Sequence, residues 1–445
     1  MEDVTQPIEK VNNWIKKSVT LKLITITILM LLLLIPASMV TSIISEREYL
    51  NNLTTQEVNS KWAGSQMVVG PILTIPVEYE YTEKEKVHRY TKNFYVLPNA
   101  LNINGKVDPE KLKRGIYETV VYKSKLDLKG DFILEKNIET ENLKRIAYEK
   151  AFLTVGISDL RGINDHVLIN WNEQKLKVKP GSRIPDIINS GFTVDLPELG
   201  EEDTLFNFEM KLNLQGSENL SFVPVGNTTE AKLSSTWDSP SFNGSFLPQN
   251  RDVREDGFDA NWKVLQLNRN FPQSWMGNIN MASFNNSIFG VDLILPLDDY
   301  QKSMRSAKYA VMTIALTFLI FFMVEVLNKR KIHPFQYTLV GLALCLFYIL
   351  LVSISEHLNF NLAYLISTIA VVGMISLYSI SVFKLKRISA ILMATLIGIY
   401  SFLFVTLQLA DYALLMGSIG LALILGATMY FTRNINWYKL NIAAE

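Results

Sequence analysis

Residues 23–45 read LITITILMLLLLIPASMVTSIIS and contain no Asp, Glu, Lys, Arg or His. A helix needs about 20 apolar residues to cross the hydrocarbon core of a bilayer, because its backbone groups must be satisfied inside the helix. This stretch of 23 residues is long enough, and it is longer than the apolar region of a typical signal peptide. It predicts a membrane-spanning anchor; a cleaved signal peptide is the alternative.

Five further apolar runs follow at the other end of the chain. Four of them also lack charged residues and histidine, namely 334–355, 358–383, 388–410 and 412–432. The fifth, 309–324, is bounded by Lys308 and Glu325, whose charges we expect to reach opposite membrane interfaces. The sequence therefore predicts six transmembrane helices. Small residues at helical spacing in the last of them, Ala413 with Gly417 and Ala422 with Gly426, predict close helix packing.

Basic residues in the short loops predict the orientation, since positive charge near a helix end is retained in the cytoplasm. The loops that fall on one side of the predicted membrane contain Lys10, Lys16, Lys17, Lys22, Lys329, Arg330, Lys331, Lys384, Lys386, Arg387, Arg433 and Lys439. The opposite short loops contain Glu356, His357 and Asp411, without Lys or Arg. Both termini are then cytoplasmic, and the long segment after the first helix lies outside.

The predicted fold class is an α-helical polytopic membrane protein with a large β-rich periplasmic domain inserted between helices 1 and 2. The predicted boundaries are 1–22 for a cytoplasmic N-terminal tail, 23–45 for helix 1, 46–305 for the periplasmic domain, 306–432 for a five-helix block and 433–445 for a cytoplasmic C-terminal tail. The first expected partner is the lipid bilayer.

The external segment has the pattern of a folded β domain. Residues 206–214 alternate apolar and polar side chains, as a half-buried strand does. Weaker runs of this kind lie at 72–81, 117–128, 152–157, 258–264 and 288–295. We expect an antiparallel β sandwich, with a helix at 54–62 that continues helix 1 outward and another at 141–148 that is capped by Thr140.

Motifs for chemistry are missing from the sequence. The histidines His88, His166, His333 and His357 are scattered, the single Cys345 lies in an apolar run, and no phosphate-binding loop or nucleophile elbow is present. Lysine plus arginine and aspartate plus glutamate both number 43, so no basic field favours nucleic acid. We expect a protein that is not an enzyme and has no catalytic, cofactor-binding or metal-binding residues.

Polar residues in or beside the predicted helices are the candidate functional residues, because burying a charge in lipid is costly. They are Glu325, Glu356, His357, Gln408 and Asp411. The last four are expected near the outer interface, lining an ion path or touching the external domain. The plainer alternative is solvated helix ends, with Glu325 in a local ion pair with Lys329 to Lys331.

The sequence resembles the CreD family of bacterial inner-membrane proteins, also described as cell envelope integrity proteins. The stretches that carry this resemblance are LLLLIPA at 31–37, VGPILTIPV at 69–77, VGISDLRGI at 155–163, SFLP at 245–248, KYAVMTIALTFLIFFMVEVL at 308–327, HPFQYTLVGL at 333–342, SISEH at 353–357 and TRNINWY at 432–438. The resemblance implies a protein under two-component control that contributes to envelope integrity and stress tolerance. It implies no catalytic residues.

Three functions remain open at the level of sequence. The first is a non-enzymatic envelope protein whose periplasmic domain senses or binds a partner, such as an envelope protein or a cell-wall component. The second is a transporter or channel that uses the outer polar residues. The third is a membrane-anchored envelope hydrolase.

Overall fold

The computed structural model describes residues 19–83, 86–134, 141–200, 204–279, 282–293, 299–328, 332–409 and 412–433. The chain divides into two compact units. The helical unit comprises Met1–Leu50 and Leu297–Glu445, and the β unit comprises Asn51–Pro296.

Long apolar helices form the helical unit. In chain order the α-helices are α1 (Val19–Trp62), the short α2 of the β unit (Ala282–Asn285), α3 (Asp299–Lys308), α4 (Ala310–Leu327), α5 (Pro334–Ser355), α6 (Phe360–Phe383), α7 (Lys386–Gln408) and α8 (Ala413–Thr432). Helix α1 is continuous over 44 residues, so the prediction that 54–62 continues helix 1 outward is confirmed. Its residues from 51 onward belong to the β unit.

Four helices of the described chain are long and apolar enough to cross a membrane, namely α1, α5, α6 and α7. Helices α3 and α4 make a fifth candidate if they are taken as one span, which bends by 43° between Lys308 and Ala310. Helix α4 matches the predicted run 309–324, whereas α3 had no counterpart among the sequence predictions. The apolar part of α8, Leu415–Tyr430, is shorter than the other candidates.

Close packing in the helical unit depends on particular small residues. A side chain at Gly341 of α5 would place its Cβ 2.1 Å from Cδ1 of Leu33, so glycine lets α1 approach α5. Of the small residues predicted to pack α8, Gly417 and Gly426 make no close contact, because nothing lies within 4 Å of a Cβ built at either position. Gly420 instead faces the ring of Phe402 on α7, where a Cβ would approach to 2.4 Å.

The β unit is a sandwich of two sheets. Its strands are β1 (Gln66–Glu83), β2 (Lys86–Val96), β3 (Ala100–Arg114), β4 (Tyr117–Ile133), β5 (Leu143–Ile146), β6 (Phe152–Ile157), β7 (Leu168–Trp171), β8 (Gln174–Lys177), β9 (Lys179–Pro180), β10 (Gly191–Asp195), β11 (Leu205–Ser217), β12 (Asn219–Phe222), β13 (Thr228–Ser235), β14 (Pro240–Gly244), β15 (Asn250–Arg254), β16 (Gly257–Leu265), β17 (Ser274–Met276) and β18 (Phe289–Leu293). One core of buried residues draws on both sheets, which therefore pack face to face.

The first sheet has ten strands and the second has eight. The path through the first is β14-β18-β12-β1-β6-β10-β9, with β2 and β5 also paired to β1 and with β17 paired to β2. The second runs β15-β16-β13-β3-β4-β11-β7-β8. Most pairs are antiparallel, as expected, but β1 with β12 and β3 with β13 are parallel. Long stretches of chain separate these partners, so no hairpin turn forces them to be antiparallel.

The strongly alternating segments became strands. Residues 206–214 lie in β11, and 72–81, 117–128, 152–157 and 258–264 lie in β1, β4, β6 and β16. The run 288–295 is strand from Phe289 to Leu293, and its last two residues lie outside the described ranges. The predicted helix at 141–148 is wrong, because β5 forms there through pairing with β1, and Thr140 lies outside the described residues. Long-range pairing has overridden a weak local helix signal.

Trp171 provides a test of this core. The side chain is 2% exposed, and its ring lies 5.3 Å from that of Phe206 and 5.9 Å from that of Phe132. We expect Trp171→Ala to lower the free energy of unfolding of the β unit by about 3–5 kcal/mol, because a large cavity remains. Pulse proteolysis in urea, on full-length protein in detergent, measures the change. Leu168→Ala, at a 46% exposed position of the same strand, is the control and should change it by less than about 1 kcal/mol.

Candidate functional site

Glu325 lies in the last turn of α4 and is completely buried. Its carboxylate accepts hydrogen bonds from the Nζ of Lys22 on α1, from the Tyr337 hydroxyl at 3.0 Å and from the backbone N–H of Ile332 at 3.0 Å. Lys22 also donates to the carbonyl oxygen of Ile332 at 3.0 Å. The structure therefore corrects the expectation that Glu325 reaches out to a membrane interface: it is enclosed by protein.

The start of α5 positions two of these donors. The side chain of His333 accepts from the backbone N–H of Phe335 at 3.2 Å, and Gln336 accepts from the backbone N–H of His333 at 2.9 Å. This capping arrangement fixes the first turn of α5, and Tyr337 follows directly in that turn. Ile332 lies just before the cap, so its N–H points back to the carboxylate.

The partner of Glu325 comes from a distant part of the sequence. Lys22 precedes it by 303 residues, and its side chain is 18% exposed. The local partners proposed from the sequence, residues 329–331, lie outside the described residues. The acceptor sites of this buried carboxylate are taken by a cation and two further donors. The carboxylate therefore links helices α1, α4 and α5. We name these residues, Lys22, Glu325, Ile332 and Tyr337, the helix tie.

The other sequence candidates lie at helix ends. Glu356 follows α5, and its carboxylate is 3.4 Å from Nε of Arg47 on α1. His357 is the next residue and is exposed. Gln408, the last residue of α7, donates to the side-chain oxygen of Asn361 on α6 at 2.7 Å. Glu356 and Gln408 thus each bond to a different helix, and Asp411 lies outside the described residues.

A second polar cluster lies in the β unit, where α1 ends and β1 begins. Asp159 accepts from the backbone N–H of Gly64 at 3.0 Å and from the guanidinium of Arg161 at 2.6 and 2.9 Å. Arg161 also donates to the carbonyl oxygen of Ser60 in the last turns of α1. The buried Gln66 donates to the carbonyl oxygens of Asp159 and Gln215, both at 3.0 Å. We name Ser60, Gly64, Gln66, Asp159 and Arg161 the junction clamp.

The junction clamp is ionic under ordinary conditions. Hydrogen bonds from Arg161, and then from the Gly64 N–H, lower the pKa of Asp159 from 3.8 to about 2. A lowered carboxylate pKa means that the clamp stabilises the folded state above about pH 4 and loses this contribution as the pH falls toward 2.

Sequence analysis missed both the helix tie and the junction clamp as units. Lys22 was counted only as a basic residue near a helix end, and Asp159 and Arg161 only as part of a family-like stretch. The available signal was their place in the stretches at 155–163, 308–327 and 333–342, which contain Asp159, Arg161, Glu325 and Tyr337. Within the described residues, no group of three or more His, Cys, Asp or Glu side chains is arranged to hold a metal ion.

The apolar helices and the separate β sandwich define the class of this protein: a polytopic membrane protein with a large β domain. A family model described as "Inner membrane protein CreD" matches residues 18–438. The inner membrane protein CreD of Escherichia coli (strain K12) is 35% identical over 416 residues, which cover 93% of this chain and 92% of that protein. The chain belongs to the CreD family of inner-membrane proteins.

A comparison with solved structures adds no argument. A crystal structure of the M1 zinc metallopeptidase from Deinococcus radiodurans aligns with 38% of this chain and 38% of that chain, at 9% identity. Its TM-score of 0.18 does not indicate a shared fold.

The helix tie is testable by removing its charges singly and together. Lys22→Met leaves a fully buried carboxylate without its cation, so we expect the free energy of unfolding to fall by about 3 kcal/mol. Adding Glu325→Gln should restore most of the loss, because a neutral amide replaces the unpaired charge. Unfolding in mixed micelles of increasing denaturing detergent measures both values.

Arg47→Met is the matched control for the helix tie. It breaks an ion pair of the same helix, but that pair is 3.4 Å long and the arginine is 44% exposed. We expect a change below about 1 kcal/mol. Equal losses of unfolding free energy for Lys22→Met and Arg47→Met would contradict our inference that the buried pair stabilises the protein more than the exposed pair does.

Proposed function

We propose that this chain is a non-enzymatic inner-membrane protein that contributes to envelope integrity and stress tolerance. Its β unit serves, in this proposal, as a periplasmic module that senses or binds an envelope component. The observation that carries the proposal is the junction clamp, which fastens the end of α1 to the strands of the β unit. A binding event that shifts these strands acts directly on a helix that continues into the helical unit.

The proposed topology has six crossings: α1, α4, α5, α6, α7 and α8, with α3 leading into α4. Both termini are cytoplasmic in this arrangement, with residues 46–305 outside and residues 306–432 forming the five-helix block. Its support is the distribution of Lys and Arg among the short loops. Helix α8 has 20 residues, which is sufficient for a crossing.

The helix tie fits a protein in which movement of α1 has a consequence. Lys22 belongs to α1, whereas Glu325 and Tyr337 belong to α4 and α5. A displacement of α1 along its axis therefore separates Lys22 from a carboxylate that is costly to leave unpaired. The tie therefore resists such displacement.

Cysteine labelling tests the location of the β unit. Leu267 is 93% exposed, so Leu267→Cys in intact spheroplasts should react with a membrane-impermeant maleimide. Arg387→Cys, at the exposed start of α7, should react only after permeabilisation. The native Cys345 is 3% exposed and gives little background. The reverse pattern would place the β unit in the cytoplasm and end the proposal.

Complementation of a deletion strain tests the role of the junction clamp. We expect Arg161→Ala to reach normal membrane abundance but to fail to restore envelope-stress tolerance, because the link from Asp159 to the end of α1 is lost. Arg251→Ala, at an exposed arginine on the edge strand β15, should restore it fully. If Arg161→Ala lowers abundance, Arg161→Lys replaces it. Full rescue by both clamp variants would show that signalling does not depend on this contact.

A transporter or channel is the second candidate function, and the buried charge of Glu325 is the observation that favours it, since such charges often line ion pathways. Purified protein in liposomes should move no solute or ion specifically under the first proposal. A specific flux that disappears in Glu325→Gln would establish transport instead.

A further inference from the structure

The second sheet of the β unit places two lysines directly opposite each other. In the antiparallel pair of β3 and β4, Lys106 is the register partner of Lys125, and both side chains are exposed. Their neighbours along the strands, Val107 and Leu126, are buried at 0% and 2% exposure, so the lysines project from the outer face. Directly opposed side chains have Cβ atoms about 5 Å apart, at which distance like charges destabilise the pair.

Three further exposed lysines surround this pair. Lys123 is two residues from Lys125 on β4, which is about 7 Å along a strand. Lys232 on β13 and Lys211 on β11 are the diagonal neighbours of Lys106 and Lys125, about 7–8 Å away, because they lie opposite Asn104 and Asp127. We name this set, Lys106, Lys123, Lys125, Lys211 and Lys232, the lysine patch.

The charges of the lysine patch are not neutralised within the described chain. None of its five ammonium groups makes an ion pair with a described residue, although Lys123 lies 5.9 Å from the ring of Trp62. Lysines elsewhere on the same face are paired: Lys129 with Glu209 and Lys263 with Glu230, each at 2.9 Å. Four carboxylates adjoin the patch. Asp108 lies opposite Lys123, and Asp127, opposite Lys211, is 3.5 Å from Lys129. Glu209 and Glu230 lie two residues from Lys211 and Lys232 but form their ion pairs with Lys129 and Lys263, and Lys211 contributes to the lowered pKa of Glu209.

This positive surface stands out because the segment that contains it is acidic. Residues 46–305 contain 30 Lys and Arg but 36 Asp and Glu, a net charge of −6. The segment therefore contains more than enough acidic residues to pair with the patch, but none of those in the described residues forms an ion pair with its lysines. An arrangement that costs stability and is not neutralised is typical of a binding surface for an anion.

The side chains between the lysines indicate which anion. Asn104, Asn213 and Asn261 are the register neighbours of Asp127, Lys125 and Lys232, and amides both donate and accept hydrogen bonds. Surfaces that bind lipid add inserted apolar side chains, and protein interfaces have aromatic or aliphatic anchors. The lysines and asparagines of this face provide neither. A polymer with many hydroxyl, amide and carboxylate groups fits better.

We propose that the lysine patch binds an acidic cell-wall glycan, a polysaccharide whose peptide stems carry carboxylates. This inference rests on the proposed periplasmic function and names its partner. The opposed Lys106 and Lys125 hold carboxylates, and the flanking asparagines bond to sugar hydroxyls and amides. The five lysines lie on one face of neighbouring strands, so an extended chain can contact several of them at once.

Co-sedimentation of the full-length protein in detergent with purified peptidoglycan sacculi tests the proposal. Lys106→Gln with Lys125→Gln should weaken binding about tenfold or more, since each surface charge contributes roughly fivefold. The same pair of changes removes a repulsion, so the protein should fold at least as well. Lys106→Arg with Lys125→Arg should retain binding, and added salt should weaken the original protein most.

Lys129→Gln with Lys263→Gln is the matched control, because it removes the same charge from the same face where glutamates already pair with it. We expect less than a twofold effect. Equal binding by the patch and control variants would overturn the proposal, as would unchanged binding to sacculi whose carboxylates have been amidated. Stronger patch-dependent binding to anionic phospholipid vesicles or to polyglutamate would replace the glycan with a lipid surface or an acidic protein.

The failure of this proposal is distinct from failure of the proposed function. A patch variant that loses sacculus binding and loses rescue of the deletion strain supports both. Loss of binding with full rescue overturns the glycan as the relevant partner and leaves the envelope function intact. Cytoplasmic labelling of Leu267→Cys would end the proposed function whatever the sacculi bind.

Discussion

Charged contacts hold helix α1 near both of its ends, and at its start the cost of burying a charge away from water governs the contact. At Lys22 the helix meets a carboxylate with no exposed surface, and the pair is tolerated only because Tyr337 and the Ile332 N–H complete its hydrogen bonds. At Ser60 the helix meets Arg161, whose charge is balanced by Asp159. Apolar packing alone holds a helix against its neighbours, but these polar contacts fix its position along its axis.

What the sequence predicted, and what it did not, follows from the range of the interactions. Residues 206–214 predict a strand because each residue's polarity indicates whether that position is buried. The apolar run at 23–45 predicts a helix for the same reason. Residues 143–146 do not predict a strand from their own sequence, because that strand forms only through pairing with β1. The parallel partners β3 and β13 are joined by no local turn, so their direction is decided by the assembled sheet. Glu325 was recognised as unusual, but its partner Lys22 lies 303 residues away.

The two faces of the second sheet also differ in how much the sequence predicts about them. The buried residues of its inner face include Leu126, Leu128, Leu212 and Leu214. The period-two alternation of apolar and polar residues in the sequence predicts their burial. Its outer face is mostly polar, with exposed apolar residues such as Ile133 and Leu205. The alternating pattern of the sequence does not show which charged residues of this face are neighbours. Only the register shows that Lys106 faces Lys125 while Lys129 reaches Glu209. Charge composition by itself predicted an acidic domain, and the surface nevertheless contains a positive area.

The stretches by which this sequence resembles the CreD family contain several of the polar contacts described above, both buried and exposed. The stretch 155–163 contains Asp159 and Arg161, 308–327 contains Glu325, and 333–342 contains Tyr337 and its helix cap. A physical reason exists for this coincidence. Apolar core residues of similar volume replace one another at modest cost, so they leave a loose signature. A buried donor or carboxylate needs its particular partner, and the sequence around it is correspondingly distinctive. Family-like stretches in a membrane protein without a catalytic motif are therefore the places to look first for the contacts that hold its helices and domains in register.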